Sequence, residues 1–144
     1  LVYNKIDRIK VTPEAGMARV GGANFPKGYQ QFEVVAVNNG PDGRAGTADD
    51  IEIGPVPVTW SLDEYGVTYR DDDVQFVGAI DRNGLFTPNL DGPNPQRSAS
   101  RNNIGDVWVV ATHGTGDDAL RARAHLLVTV PLYLRFEPWR EVNR

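Results

Sequence analysis

Residues 121–130 read Arg121-Ala122-Arg123-Ala124-His125-Leu126-Leu127-Val128-Thr129-Val130. Ala122, Ala124, Leu126, Val128 and Val130 fall on one side of an extended chain, and Arg121, Arg123, His125, Leu127 and Thr129 on the other. A repeat of two marks a strand with one face on a core, because successive side chains point to opposite faces. The strand is expected to run over 121–134. Its later half, apolar on both faces, is expected to be buried on both sides or covered by a neighbouring domain.

The same alternation recurs upstream. Ile9 and Val11 oppose Arg8 and Lys10 over 7–12, and 18–20 is expected to continue that strand beyond a kink at 13–16. Phe32, Val34 and Ala36 oppose Glu33, Val35 and Val37 over 31–37. Val56, Val58, Trp60 and Leu62 share a face over 56–62; Pro57 on the other face suits an edge or a strand start. Further strands are expected over 74–80, over 85–87 after the turn sequence Asp81-Arg82-Asn83-Gly84, and over 106–112. With 15 Gly and 10 Pro spread along 144 residues, long helices are disfavoured. One-sided short strands bury their apolar faces by pairing two antiparallel sheets. Trp60 stands in the third-strand position, which in an immunoglobulin-type sandwich packs at the centre. The expected fold is an all-β, immunoglobulin-like antiparallel β-sandwich of seven to eight strands with long loops over 1–135, followed by a tail or docking segment at 136–144 anchored by Trp139.

Composition removes several classes. The chain holds 15 Lys+Arg and 19 Asp+Glu, a net charge of −4, and no basic run, which disfavours nucleic acid as a partner. No window approaches the run of about 18 apolar residues that a membrane span needs. Aliphatic and aromatic residues are too frequent for an acidic disordered tail. The absence of cysteine removes disulfides, thiolate metal sites, cysteine nucleophiles and Cys-linked haem. The chain opens on Leu1 without a leader pattern, so it reads as a mature, trimmed or excised piece.

The stretch richest in chemistry is 38–52. Carboxylates and amides on a Gly-rich backbone are what a hard cation requires. Asn38, Asp42, Asp49 and Asp50 are the candidate calcium ligands, with Asn38, Asp42 and Asp49 matching positions one, five and twelve of an EF-hand-like loop and Gly43 position six. Gly40 falls where a ligand is needed, and strands flank the loop. The alternative is a turn-rich loop closed by Asx turns. Asp71-Asp72-Asp73 reads as a solvated acidic loop, and Asp117-Asp118 as a hairpin tip. His113 and His125 lie on different strands without a third ligand nearby, so structural or surface roles are expected. Ser61, Ser98 and Ser100 lack a nucleophile-elbow context, and no phosphate loop or dinucleotide fingerprint occurs. The Pro- and Asn-rich loop 88–103 suits an interaction surface or a plain crossover equally.

Three segments together carry a resemblance. They are Asn39-Gly40-Pro41-Asp42-Gly43 with Pro57-Val58-Thr59-Trp60-Ser61-Leu62; Leu85-Phe86-Thr87-Pro88 with Asp91-Gly92-Pro93-Asn94-Pro95-Gln96-Arg97; and Asn102-Asn103 through Gly105-Asp106-Val107-Trp108-Val109 with the closing strand. From about Val11 to Leu134 the chain resembles the C-terminal immunoglobulin-like domain of the quinohemoprotein amine dehydrogenase α subunit. The resemblance implies a periplasmic subunit that begins with a dihaem cytochrome c domain, with a tryptophylquinone on a separate small subunit. This chain has no Cys-x-x-Cys-His, and none of the family's catalytic residues carries over. The implied role is a non-catalytic structural or interaction domain of an extracytoplasmic redox complex, periplasmic or extracellular. It would hold no covalently bound cofactor, and its partners would be protein subunits or domains that bear haem or quinone. The alternative is a calcium-stabilised adhesion or filament module on a bacterial cell surface.

Overall fold

The computed structural model describes residues 5–66 and 71–131. In chain order the elements are β1 (Arg8–Thr12), β2 (Ala15–Arg19), β3 (Gln30–Gln31), β4 (Glu33–Asn38), β5 (Ile51–Gly54), β6 (Thr59–Glu64), the single helical turn α1 (Asp73–Phe76), β7 (Gly78–Ile80), β8 (Leu85–Pro88), β9 (Gly105–His113) and β10 (Leu120–Thr129). The alternating closing strand β10 lies inside a four-stranded sheet ordered β2-β10-β9-β6. The opposing layer is built from β1-β4-β5 and β3-β8-β7. These two join because β3 and β4 are separated only by Phe32, whose N–H donates to the Gly84 carbonyl at 2.8 Å. Ile9, Val11, Val34, Phe32 and Phe86 of this layer meet Val107, Val109, Ala124, Leu126 and Val128 of the other in one core cluster. Alternation thus produces the all-β, immunoglobulin-like sandwich that the sequence calls for. Among the described residues no helix is long and apolar enough to cross a membrane.

Three expectations are corrected, and one strand is added. Residues 15–19 do not continue β1. β1 pairs antiparallel with β4, whereas β2 crosses to the other layer and pairs parallel with β10, His125 opposite Ala15 and Thr129 opposite Arg19. The break falls at Pro13, which has no N–H to give to either ladder. Residues 73–76 form a helical turn where a strand was expected; the Glu64 carboxylate accepts the Val74 N–H at 2.8 Å, an N-terminal acceptor supplied from ten residues away. Ile51–Gly54 forms a four-residue edge strand that the sequence reading did not name; its Ile51-Glu52-Ile53 alternation is short, and Ile53 faces solvent. Trp60 is half-buried and does not fill the centre, which belongs to Phe32 and Phe86 at 1% and 0% exposure. The Trp60 ring lies 6.4 Å from that of Phe32 and rests over Gly84. Gly84 has φ +81°, and a β-carbon there would strike the Phe32 carbonyl and the Trp60 ring, so glycine is required in this turn.

The boundary at 135/136, Trp139 and the last residues of the strand expected over 121–134 lie outside the described residues. Within β10, Leu126 and Val128 are buried and Leu127 is half-buried.

Candidate functional site

The acidic triplet Asp71-Asp72-Asp73 enters α1, and its oxygens lie within 4.8 Å of one another, close enough to share a cation. The expected solvated loop is corrected here: arginines from the Pro- and Asn-rich loop supply the positive charge. The Arg97 side chain is 0% exposed, and its Nη2 donates to Asp72 at 2.7 Å and to Asp73 at 2.6 Å. Its Nη1 donates to the carbonyls of Asn102 at 2.6 Å and Ile104 at 2.9 Å. The guanidinium carbon lies 5.5 Å from the Phe76 ring centroid, and the buried Nε makes no hydrogen bond. Arg101 adds longer contacts of 3.3 Å to Asp72 and Asp73. The Arg97 bond holds the Asp72 carboxyl below the usual aspartate range; burial works against the Arg97 charge, but its bonds to Asp72 and Asp73 outweigh that and raise its pKa.

The same loop closes on itself through its amides. Asn94 donates to Asn103 Oδ1 at 2.8 Å, Asn102 to Asp91 at 2.7 Å, and Asn103 to the Leu90 carbonyl at 3.0 Å. Asp73 also reaches past Gly105 to accept the Asp106 N–H at 3.0 Å. Gly105 has φ +156°, and a β-carbon there would overlap the Asp73 carboxylate. The run from Asp91 to Asp106, the most distinctive part of the sequence, therefore ties down β9 and α1. Sequence reading quoted Arg97 without giving it a task. The available signal was the acidic triplet itself, which needs a buried counter-charge.

Glu64 faces this network from β6. Burial raises its pKa above the ordinary 4.5, and the charges of Asp71, Asp73 and Asp72 add to the rise. A raised carboxyl favours folding at low pH, and that contribution is lost as pH rises through the folded value; the depressed Asp72 acts oppositely, its contribution being lost as pH falls below the ordinary aspartate range. Glu64→Gln keeps an acceptor for Val74 and removes the repulsion. It is expected to raise Tm at pH 7 by about 2 °C, roughly 0.5 kcal/mol, with the gain vanishing near pH 4. Calorimetry at the two pH values checks this.

The four calcium candidates lie in and beside one loop. Asn38, buried at the end of β4, donates to the Lys5 carbonyl at 2.9 Å and accepts the Gly40 N–H at 2.8 Å. Asp42 accepts the Arg44 N–H at 2.8 Å. Asp49 accepts the Thr47 hydroxyl at 2.6 Å and the Asp42 N–H at 3.0 Å. Asp50 accepts the Gly46 N–H at 2.8 Å and pairs with Arg8. The Thr47 and Asp42 bonds lower the Asp49 pKa; for Asp50 burial pushes upward, and the Gly46 and Arg8 bonds pull it further down. Each of the four side chains accepts at least one N–H or O–H donor, and Lys5 and Arg8 tie the loop to the first strand region. Chelator is expected to leave Tm unchanged within about 1 °C, well below the effect of removing a bound stabilising ion. A drop of several degrees that calcium restores would return the cation to this loop.

A third group stands on the outer face of the four-stranded sheet. Trp108 and His125 are cross-strand partners on β9 and β10. Tyr65, just beyond β6, stacks on His125 at 4.0 Å and lies 4.8 Å from Trp108. His125 Nε2 lies 2.6 Å from Asp106 Oδ1, and the Arg123 guanidinium sits 3.8 Å from the Trp108 ring centroid. His113 lies elsewhere, with Nδ1 2.8 Å from the Pro57 carbonyl. Sequence reading missed the aromatic cluster because its members come from β9, β10 and the bend after β6, and each looks like a lone residue on a polar face.

Comparison with curated proteins finds no match. Comparison with protein families matches residues 9–139 to quinohemoprotein amine dehydrogenase, alpha subunit domain IV. The match spans both layers, the Arg97 network and the aromatic face. The chain belongs to the family of domain IV of the quinohemoprotein amine dehydrogenase α subunit.

Proposed function

We propose that this chain is a non-catalytic structural and docking domain of an amine dehydrogenase complex in the periplasm, holding the domains and subunits that carry the haem and the quinone. The observation that carries the reading is the use made of the chain's polar residues. The segment most specific to the family, Asp91 to Asp106, is spent through Arg97 on holding the fold. The conspicuous outward-facing group is an aromatic and arginine cluster of the composition favoured at protein interfaces. Aromatic side chains and arginine offer large contact areas with polar edges, which suits docking better than turnover.

Native mass spectrometry tests the reading. The chain is expected to enter a stoichiometric assembly with the haem- and quinone-bearing subunits of its own organism. A chain that stays monomeric in their presence would overturn it. The chelator measurement separates this reading from the calcium-stabilised surface module.

A further inference from the structure

At the seam between the layers, where β1 gives way to β2, β1 lies close beside β10 without bonding to it and leaves part of the β10 edge without a ladder partner. β2 pairs with β10 only from His125 to Thr129. Residues 120–124 pair with β9 alone. Parity shows which backbone groups are exposed. The His125 N–H donates to the Glu14 carbonyl at 2.9 Å, and the Thr129 carbonyl accepts from Val20 at 2.9 Å, so odd-numbered residues of β10 aim their N–H and C=O away from β9. Arg121 and Arg123 share that parity and have no backbone partner at the edge among the described residues. Beside this edge opens a cleft of about 430 Å³ whose walls include Arg8, Lys10, Glu14, Trp108 and Arg123.

The charges of the seam select its occupant. Arg8 and Lys10 are paired with Asp50 and Glu52, and Glu14 sets one exposed carboxylate against the two arginines Arg121 and Arg123, which leaves the seam net positive. Arg123 lies over Trp108 without a carboxylate partner among the described residues, and exposed Arg121 likewise makes no ion pair there. Stacking on an aromatic face leaves the N–H edges of a guanidinium available for a carboxylate. The chain's own residues 132–144 carry three Arg against two Glu and do not complement the site. A second copy at the same edge would set Arg121 and Arg123 against their own kind.

We propose that the seam takes an extended segment of a partner subunit with acidic residues at alternate positions. It would add as a short strand along 120–124, its carboxylates lying beside Arg121 and Arg123. This is strand addition, in which main-chain bonds give affinity and alternate side chains give specificity. The inference rests on the docking role proposed above.

Titration of the ¹⁵N-labelled chain tests it, with a short capped peptide of alternating Glu and Thr as probe and the Lys-Thr peptide as control. The Glu-Thr peptide is expected to shift the Arg121 and Arg123 amides and the Trp108 indole saturably, and the Lys-Thr peptide to leave them in place. Before peptide is added, those two amides exchange with solvent faster than Ala122 and Ala124. The double variant Arg121→Glu/Arg123→Glu stays folded, its Tm lowered only by the lost Arg123–Trp108 contact, and binds about tenfold or more weakly; Arg121→Gln/Arg123→Gln loses the same contact and falls between in binding. Unmoved amides, equal binding of both peptides, or edge-to-edge dimerisation of the chain alone overturns the seam. A chain that enters the complex while these amides stay still loses the seam and keeps the docking role. A chain that binds the peptide but never enters the complex loses the docking role and with it the partner subunit.

Discussion

Arg97→Ala is expected to destabilise the domain by about 3–5 kcal/mol, the range for removing one partner of a buried ion pair. For a domain of this size that lowers Tm by about 10–15 °C. The magnitude follows from what the substitution leaves behind. Asp72 and Asp73, both mostly shielded from solvent, lose their buried cation and keep only the longer contacts of the exposed Arg101, and the carbonyls of Asn102 and Ile104 lose their donor. Arg97→Lys keeps the charge but cannot span two carboxylates and two carbonyls at once; it is expected to cost about 2 kcal/mol. In Arg97→Ala the Asp72 carboxyl loses the bond that lowers its pKa, so its pH-dependent contribution disappears and the difference from wild type narrows as pH falls below the ordinary aspartate range. Urea unfolding at pH 7 and pH 4 measures both effects. A loss below about 1 kcal/mol would show that the loop opens to water and that the network does not hold it.

Phe86→Ala is expected to cost about 3–5 kcal/mol, as for a large aromatic side chain removed from a packed core. Phe86 is 0% exposed and belongs to the cluster that joins both layers. Trp60→Ala, by contrast, removes a half-buried ring that covers Gly84 and approaches Phe32, and is expected to cost about 2 kcal/mol. The order of the two distinguishes the observed packing from one with the tryptophan at the centre. If Trp60→Ala proved the more damaging, the core would be centred on β6.

How much of this was legible in the sequence depends on the range of the interaction. The layer architecture rests on side-chain parity, which is local, so β1, β4, β9 and β10 are visible in the alternation of residues such as Val107, Val109 and Ala111. The crossing of β2 is not visible, because Ala15 to Arg19 carries no label for the sheet it joins; only the ladder to β10 decides that. The helical turn α1 is hidden for a related reason. Its acceptor, Glu64, lies on another strand. The acidic loop 38–50 was recognisable as a folded loop from its Gly, Asp and Asn content, but which donors fill its carboxylates depends on Arg8 arriving from β1. The Arg97 network spans 24 and 25 residues of sequence to Asp73 and Asp72, and no periodicity encodes such a pairing. The family resemblance drew attention to the Asp91–Arg97 motif; the structure supplied its physical task.

If this domain holds partners together and the chemistry resides on other components, amine-dependent reduction of a dye acceptor separates the two. Measured for the 144-residue chain alone and for the assembled complex, turnover is expected from the complex, and a rate indistinguishable from buffer from the chain alone. Turnover by the isolated chain, abolished by a substitution within it that leaves Tm unchanged, would place the chemistry in this domain.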